Sequence, residues 1–149
     1  MGRPTGHRVT LVAAWRKEAK LVASATFWKE TDSTDLRYQA AIHEGVGTIV
    51  RRMFFREQSQ LPIRFDIWEL PPGASEGDHT HGGTGPGRAL EEIYYFLSGN
   101  GMMRIAGEEV AVTRGDAVLV PPGVDHGLYN TGTEPLRLVL LWGEPTAQG

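Results

Sequence analysis

Residues 46–142 run as a succession of short segments rich in β-branched and aromatic residues, each closed by glycine, proline or a small polar residue. This rhythm restricts the fold more than any other feature. Amphipathic helices need longer stretches of 3.6-residue periodicity, and parallel strands need a crossover of a dozen or more residues between them. The expected strands are 46–55, 63–67, 92–97, 102–105, 110–113, 117–120, 126–130 and 136–142. Ile63, Phe65 and Ile67 alternate with Arg64 and Asp66, which reads as a strand with one buried face. Ser98-Gly99-Asn100-Gly101 reads as a hairpin, and Ala106-Gly107 and Arg114-Gly115-Asp116 as further turns. Residues 74–90 read as a polar, Gly-rich loop. At least seven short strands in sequence, with no internal repeat, predict an all-β antiparallel sandwich or barrel.

The remainder of the chain differs in composition. Glycine and proline are missing from His7 to Glu44 and frequent from Gly45 onward. We therefore expect an N-terminal arm over 1–44 and a barrel over 45–149. Leu11, Val12, Trp15, Ala19 and Val22 recur at helical spacing within the arm, although residues 9–14 suit a strand equally well. Residues 1–60 carry ten Lys/Arg against six Asp/Glu, and residues 61–149 five against twelve. That asymmetry suits a basic arm lying on an acidic body, its own or a partner subunit's. The net charge of −3 is too small to suggest a nucleic-acid partner. No apolar run approaches the roughly 20 residues needed to span a bilayer, and residues 1–10 lack a signal-peptide pattern. A cytoplasmic protein without a membrane partner is the expectation.

The chain has no cysteine, so a metal would be held by imidazole and carboxylate. His79 and His81 are two residues apart, and on an extended backbone such residues share a face. Glu92 begins the next expected strand, and His126 lies well downstream, just after Pro121-Pro122-Gly123. A lone histidine in a Gly-rich segment is more often solvated, and His7 and His43 are read that way.

Two spacings carry a more specific signal. Gly73 is followed after five residues by His79-Thr80-His81, after ten more by Glu92, and after six by Gly99. Gly115 is followed after five residues by Pro121-Pro122-Gly123, after two by His126, and after three by Asn130. These strings resemble the two motifs of the cupin superfamily. The second agrees at every position, and the first departs only in the longer interval between His81 and Glu92. The resemblance covers about residues 45–142 and is to a single-domain, type-2 cupin. It implies a double-stranded β-helix, or jelly-roll, barrel. It also implies one divalent ion per subunit (zinc, manganese, iron, nickel or cobalt) on His79, His81, Glu92 and His126. Either Glu91 or Glu92 can reach the site after the long loop, and the six-residue interval to Gly99 selects Glu92. The loop over 82–90 is either a flap at the entrance or a tolerated insertion.

Strand parity then assigns the surroundings. With Glu92 inward, Tyr94 and Phe96 face inward and Ile93 and Tyr95 outward; Leu128 follows His126. With Phe65 on the apolar face of its own strand, the expected substrate cavity is mostly apolar and lined by Phe65, Tyr94, Phe96 and Leu128. Tyr94 is the candidate catalytic proton donor, against the plainer reading of core packing. Three functions fit: a metal-dependent enzyme acting on a small organic molecule (dioxygenase, isomerase, lyase, decarboxylase or cyclase), a non-catalytic binding or sensing module, and a scaffold stabilised by its ion. The first is preferred. A homodimer through residues 46–55 with Ile93 and Tyr95 is also expected.

Overall fold

The computed structural model describes residues 27–83 and 88–146. Among these, ten strands form two antiparallel sheets. The larger contains β1 (Leu36–Ala40), β2 (Thr48–Phe54), β3 (Ile63–Leu70), β5 (Glu91–Ser98), β8 (Ala117–Val120) and β10 (Leu136–Gly143), in the order β1-β2-β3-β10-β5-β8. The smaller contains β4 (Ser75–His79), β6 (Asn100–Ile105), β7 (Glu108–Thr113) and β9 (His126–Tyr129), in the order β4-β9-β6-β7. The two sheets close into a jelly-roll barrel, the form of barrel that the resemblance implies. None of the described helices is long and apolar enough to cross a membrane.

The core is built from alternate residues of facing strands. Tyr94 and Phe96 of β5 lie beside Leu140 and Leu138 of β10, and all four are buried. Leu128 of β9 and Met103 of β6 face them from the smaller sheet. Each fully buried side chain of this size contributes about 1.5–3 kcal/mol.

Three sequence expectations change here. Phe65 does not enter the cavity. The inward residues of β3 are Asp66, Trp68 and Leu70, while Phe65 stacks on Phe54 with ring centroids 5.2 Å apart. Apolar alternation selected the wrong face because the buried Asp66 is neutralised by Arg51, at 2.6 Å. Secondly, residues 75–79 are strand rather than loop, since polar Ser-Glu-Gly-Asp-His pairs with β9. Thirdly, Ser98-Gly99-Asn100-Gly101 is not a hairpin, because β5 and β6 belong to different sheets. Gly99 (φ +84°) is a corner, where a Cβ would lie 2.5 Å from the Pro135 carbonyl oxygen. The hairpin is at Ala106-Gly107, whose positive φ values (50° and 83°) match the right-handed strand twist.

The boundary expected at 44/45 lies in the connection between β1 and β2. β1 runs antiparallel to β2 from Leu36↔Arg52 to Ala40↔Thr48. The helix or strand expected within residues 9–22 lies outside the described residues.

Candidate metal centre

His79 ends β4 and His126 begins β9, and the two are paired across the smaller sheet. His81 follows two residues later, its carbonyl accepting a hydrogen bond from the Gly123 N–H at 2.8 Å. The turn of the second motif thus anchors the end of the first. Glu92 comes from β5 of the opposite sheet. The four expected ligands meet: one donor atom from each lies within 4.8 Å of all the others. His79 Nε2 is 3.0 Å from His81 Nε2, His81 Nε2 is 3.5 Å from Glu92 Oε1, and His126 Nε2 is 2.7 Å from Glu92 Oε2. Glu91 is outside this group and lies with Pro62 and Ile93 on the other side of the sheet.

The ring tautomers suit an ion. His79 Nδ1 is 2.8 Å from the Gly77 carbonyl and His126 Nδ1 is 2.9 Å from the Val124 carbonyl. A carbonyl only accepts, so each Nδ1 carries a hydrogen, and an ion at the centre would take the lone pair of each Nε2, at His126 in place of the proton that Nε2 shares with Glu92. Burial opposes charge on Glu92, but hydrogen bonds from His126 and His81 hold its carboxyl well below the usual carboxylate range. Burial brings the His79 imidazole down to about 4, so it is neutral near pH 7. Burial opposes charge on His126 too, but its hydrogen bond to Glu92 prevails and raises it. Three imidazoles and one carboxylate form a donor set suited to zinc, manganese, iron, nickel or cobalt.

Sequence reasoning missed two side chains at the centre. Glu76 is buried on β4, with Oε1 3.7 Å from both His79 Nε2 and His43 Nε2. An odd interval would place residues 76 and 79 on opposite faces of a regular strand. A bulge in β4 between Glu76 and His79 adds one residue and turns both toward the centre. Burial first, and the charge of Glu92 second, push the Glu76 carboxyl up to about 8. The Tyr94 hydroxyl lies between the two acids, 3.0 Å from Glu92 and 3.3 Å from Glu76.

His43, expected as a solvated residue, is exposed, and it also stacks on His79 with ring centroids 3.6 Å apart and planes inclined by 10°. It sits in a turn, Ile42–Glu44, whose His43 and Glu44 both adopt left-handed backbone (φ 48° and 62°). Nothing in the local sequence announces that conformation. His43, Glu76 and His79 form a second possible donor group. The two groups share His79, whose single free nitrogen serves one ion, so they are alternatives.

Beside His81 and Glu92 lies a cavity of about 350 Å3. Gln39, His43, Arg51 and Glu76 supply its polar lining, and Trp68, Leu140 and Trp142 its apolar lining. It is more polar than expected. Phe96 and Leu128 face inward but are fully buried in the core rather than in the lining. Tyr94 is equally buried and reaches the centre only through its hydroxyl.

The fold and this cluster define a small jelly-roll barrel protein with a histidine and glutamate cluster that could hold a metal ion. Residues 66–142 match the Cupin domain family, and the chain belongs to it. It is 37% identical over 77 residues to an oxalate-binding protein of Thermotoga maritima, covering 52% of this chain and 59% of that one. It is 41% identical over 49 residues to an uncharacterized protein of Methanocaldococcus jannaschii, covering 33% of this chain and 39% of that one. The chain thus spans less than two thirds of either relative. It also resembles the crystal structure of a predicted oxalate decarboxylase from Thermotoga maritima, with a TM-score of 0.70 and 25% identity. That alignment covers 80% of this chain and all of the other.

Proposed function

We propose that this cupin holds one divalent ion on His79, His81, Glu92 and His126 and acts as an enzyme on a small organic molecule in the adjoining cavity. The observation that carries this reading is the convergence of the four donors, with the Nδ1 atoms of His79 and His126 already committed to backbone carbonyls. When bound, the ion supplies Lewis-acid polarisation of an oxygen donor. The chain supplies the rest. The backbone carbonyls of Gly77 and Val124 orient two of the imidazoles, and Tyr94 donates to Glu92 and fixes that carboxylate. Glu76, with its carboxyl pushed up to about 8, keeps its proton near neutral pH and presents an acid beside the site.

A second reading is a non-catalytic module that only binds its ligand. Similarity to an oxalate-binding protein favours it.

His126→Ala should retain the β-rich circular dichroism spectrum and lose metal affinity by on the order of a hundredfold or more. Elemental analysis of protein purified without oxygen checks this. Unchanged metal content would overturn the ligand assignment. Turnover of small organic acids by the metal-loaded protein, including oxygen uptake when the ion is iron, supports the enzyme. Ligand binding without turnover supports the module.

A further inference from the structure

The cavity beside the metal cluster contains a cation that the proposed chemistry does not use. Arg51, on β2, has a side chain only 15% exposed and held on three sides. One terminal nitrogen is 2.6 Å from Asp66 Oδ2, the other is 2.8 Å from Gln39 Oε1, and the guanidinium carbon lies 4.9 Å from the centre of the Trp68 ring. Its Nε is buried and finds no hydrogen-bond partner among the described residues. A guanidinium has five N–H donors in a planar fork. Those two contacts leave it short of acceptors while it lines the same cavity as His81 and Glu92. Asp66 is 1% exposed, its Oδ2 is also 3.4 Å from the indole nitrogens of Trp68 and Trp142, and its Oδ1 is buried without a hydrogen-bond partner among the described residues.

A stiff, under-satisfied arginine facing a cavity is a preorganised receptor for a planar anion. The remaining lining fits a carbon chain: Trp68, Leu140 and Trp142 offer apolar surface. The cavity volume of about 350 Å3 is room for about a dozen waters. A two-carbon dianion held at the ion would leave much of that space empty and would not use Arg51.

We infer that Arg51 is a specificity-determining residue, and that the cavity takes an organic acid longer than oxalate. One end of this ligand offers oxygen donors to the ion. A separate carboxylate pairs with Arg51, and the linking carbons lie against the indoles. This inference rests on the ion occupying the four-donor cluster and names the class of molecule handled there.

The test uses the full chain loaded with manganese and two pairs of 2-hydroxy acids, titrated by calorimetry. Malate is compared with 2-hydroxybutanoate, and 2-hydroxyglutarate with 2-hydroxypentanoate. Each pair shares its chelating end and differs in the distal carboxylate. The wild type should bind at least one diacid about tenfold or more tightly than its partner. Arg51→Gln should erase that preference while leaving metal content and the binding of the monoacids unchanged. Because Arg51→Gln strands the buried Asp66, the double variant Arg51→Gln/Asp66→Asn is measured beside it. It too should bind the monoacids and show no preference. A merely structural Arg51 would lower stability in the single variant but leave the ratio intact. Equal binding of diacid and monoacid by the wild type, a preference that survives in both variants, or no binding of any acid by the loaded protein would overturn the inference. Failure to load manganese would overturn the metal assignment and this inference with it.

Discussion

Individual side chains at this site are set by their partners more than by their type. Asp66 is an acid in a barrel core and Phe65 an aromatic outside it, because Arg51 and two indoles converge on one oxygen of the carboxylate. Asp78 shows the same dependence nearer the surface. It accepts hydrogen bonds at 2.6 Å from both the Tyr129 hydroxyl and Arg104. The bond from Tyr129 is the largest influence, and with Arg104 it draws the carboxyl below its ordinary value of 3.8. A group lowered on folding adds stability above its unfolded value, and loses it as pH falls through the folded value. Asp78→Asn should therefore lower the urea midpoint more at pH 7 than at pH 2.5. An equal loss at both pH values would mean that the carboxylate's charge is not what matters.

At the scale of single elements, β4 is a strand without strand propensity. Ser75–His79 pairs with β9 because the barrel presents an edge to it, and the bulge aims Glu76 and His79 together. The turn bearing His43 is pressed against this strand through two glycines. A Cβ on Gly77 would lie 2.0 Å from the His43 carbonyl oxygen, and one on Gly45 would lie 2.1 Å from the Ser75 carbonyl oxygen. Both obstacles are backbone, which cannot rotate away. Gly77→Ala should thus destabilise by roughly 1–3 kcal/mol or more and displace His43. Gly73→Ala is a useful comparison, since it has φ +77° and no atom within 4 Å of its Cβ. It should cost about 1–2 kcal/mol from backbone conformation alone. Denaturant unfolding of the two variants separates crowding from strain; a smaller loss at Gly77 than at Gly73 would contradict the close approach.

Across the whole molecule, the two sheets give different parts of the site. The smaller supplies His79 and His126, the larger supplies Glu92 and Arg51, and the cavity lies where they meet. The outer face of the larger sheet bears a strip in which Ile93 pairs with Leu119, flanked by Tyr95, with Tyr95 46% and Leu119 53% exposed. Contiguous apolar surface of this kind marks interaction faces. We expect a homodimer in light scattering and a monomer after Tyr95→Lys with Leu119→Lys. A wild-type monomer across micromolar concentrations would remove the strip from consideration.

The sequence alone determined the barrel class, the four residues whose side chains converge and the parity that turns Tyr94, Phe96 and Leu128 inward. The parity follows from alternation along a strand and the barrel from glycine and proline at turns, which are local properties of the chain; the four residues follow from the resemblance to the cupin motifs. It did not reveal which face of β3 is buried, that Gly99 turns a corner between sheets, or that Glu76, His43 and Arg51 join the site. Each of those depends on a partner distant along the chain: Asp66 on Arg51, Gly99 on Pro135, Glu76 on the register of β4 against β9, His43 on Gly77. Burial of a charge, crowding at a backbone and one extra residue in a strand acquire their meaning only once the sheets are packed. Their energies arise from contacts, and tertiary structure alone decides those.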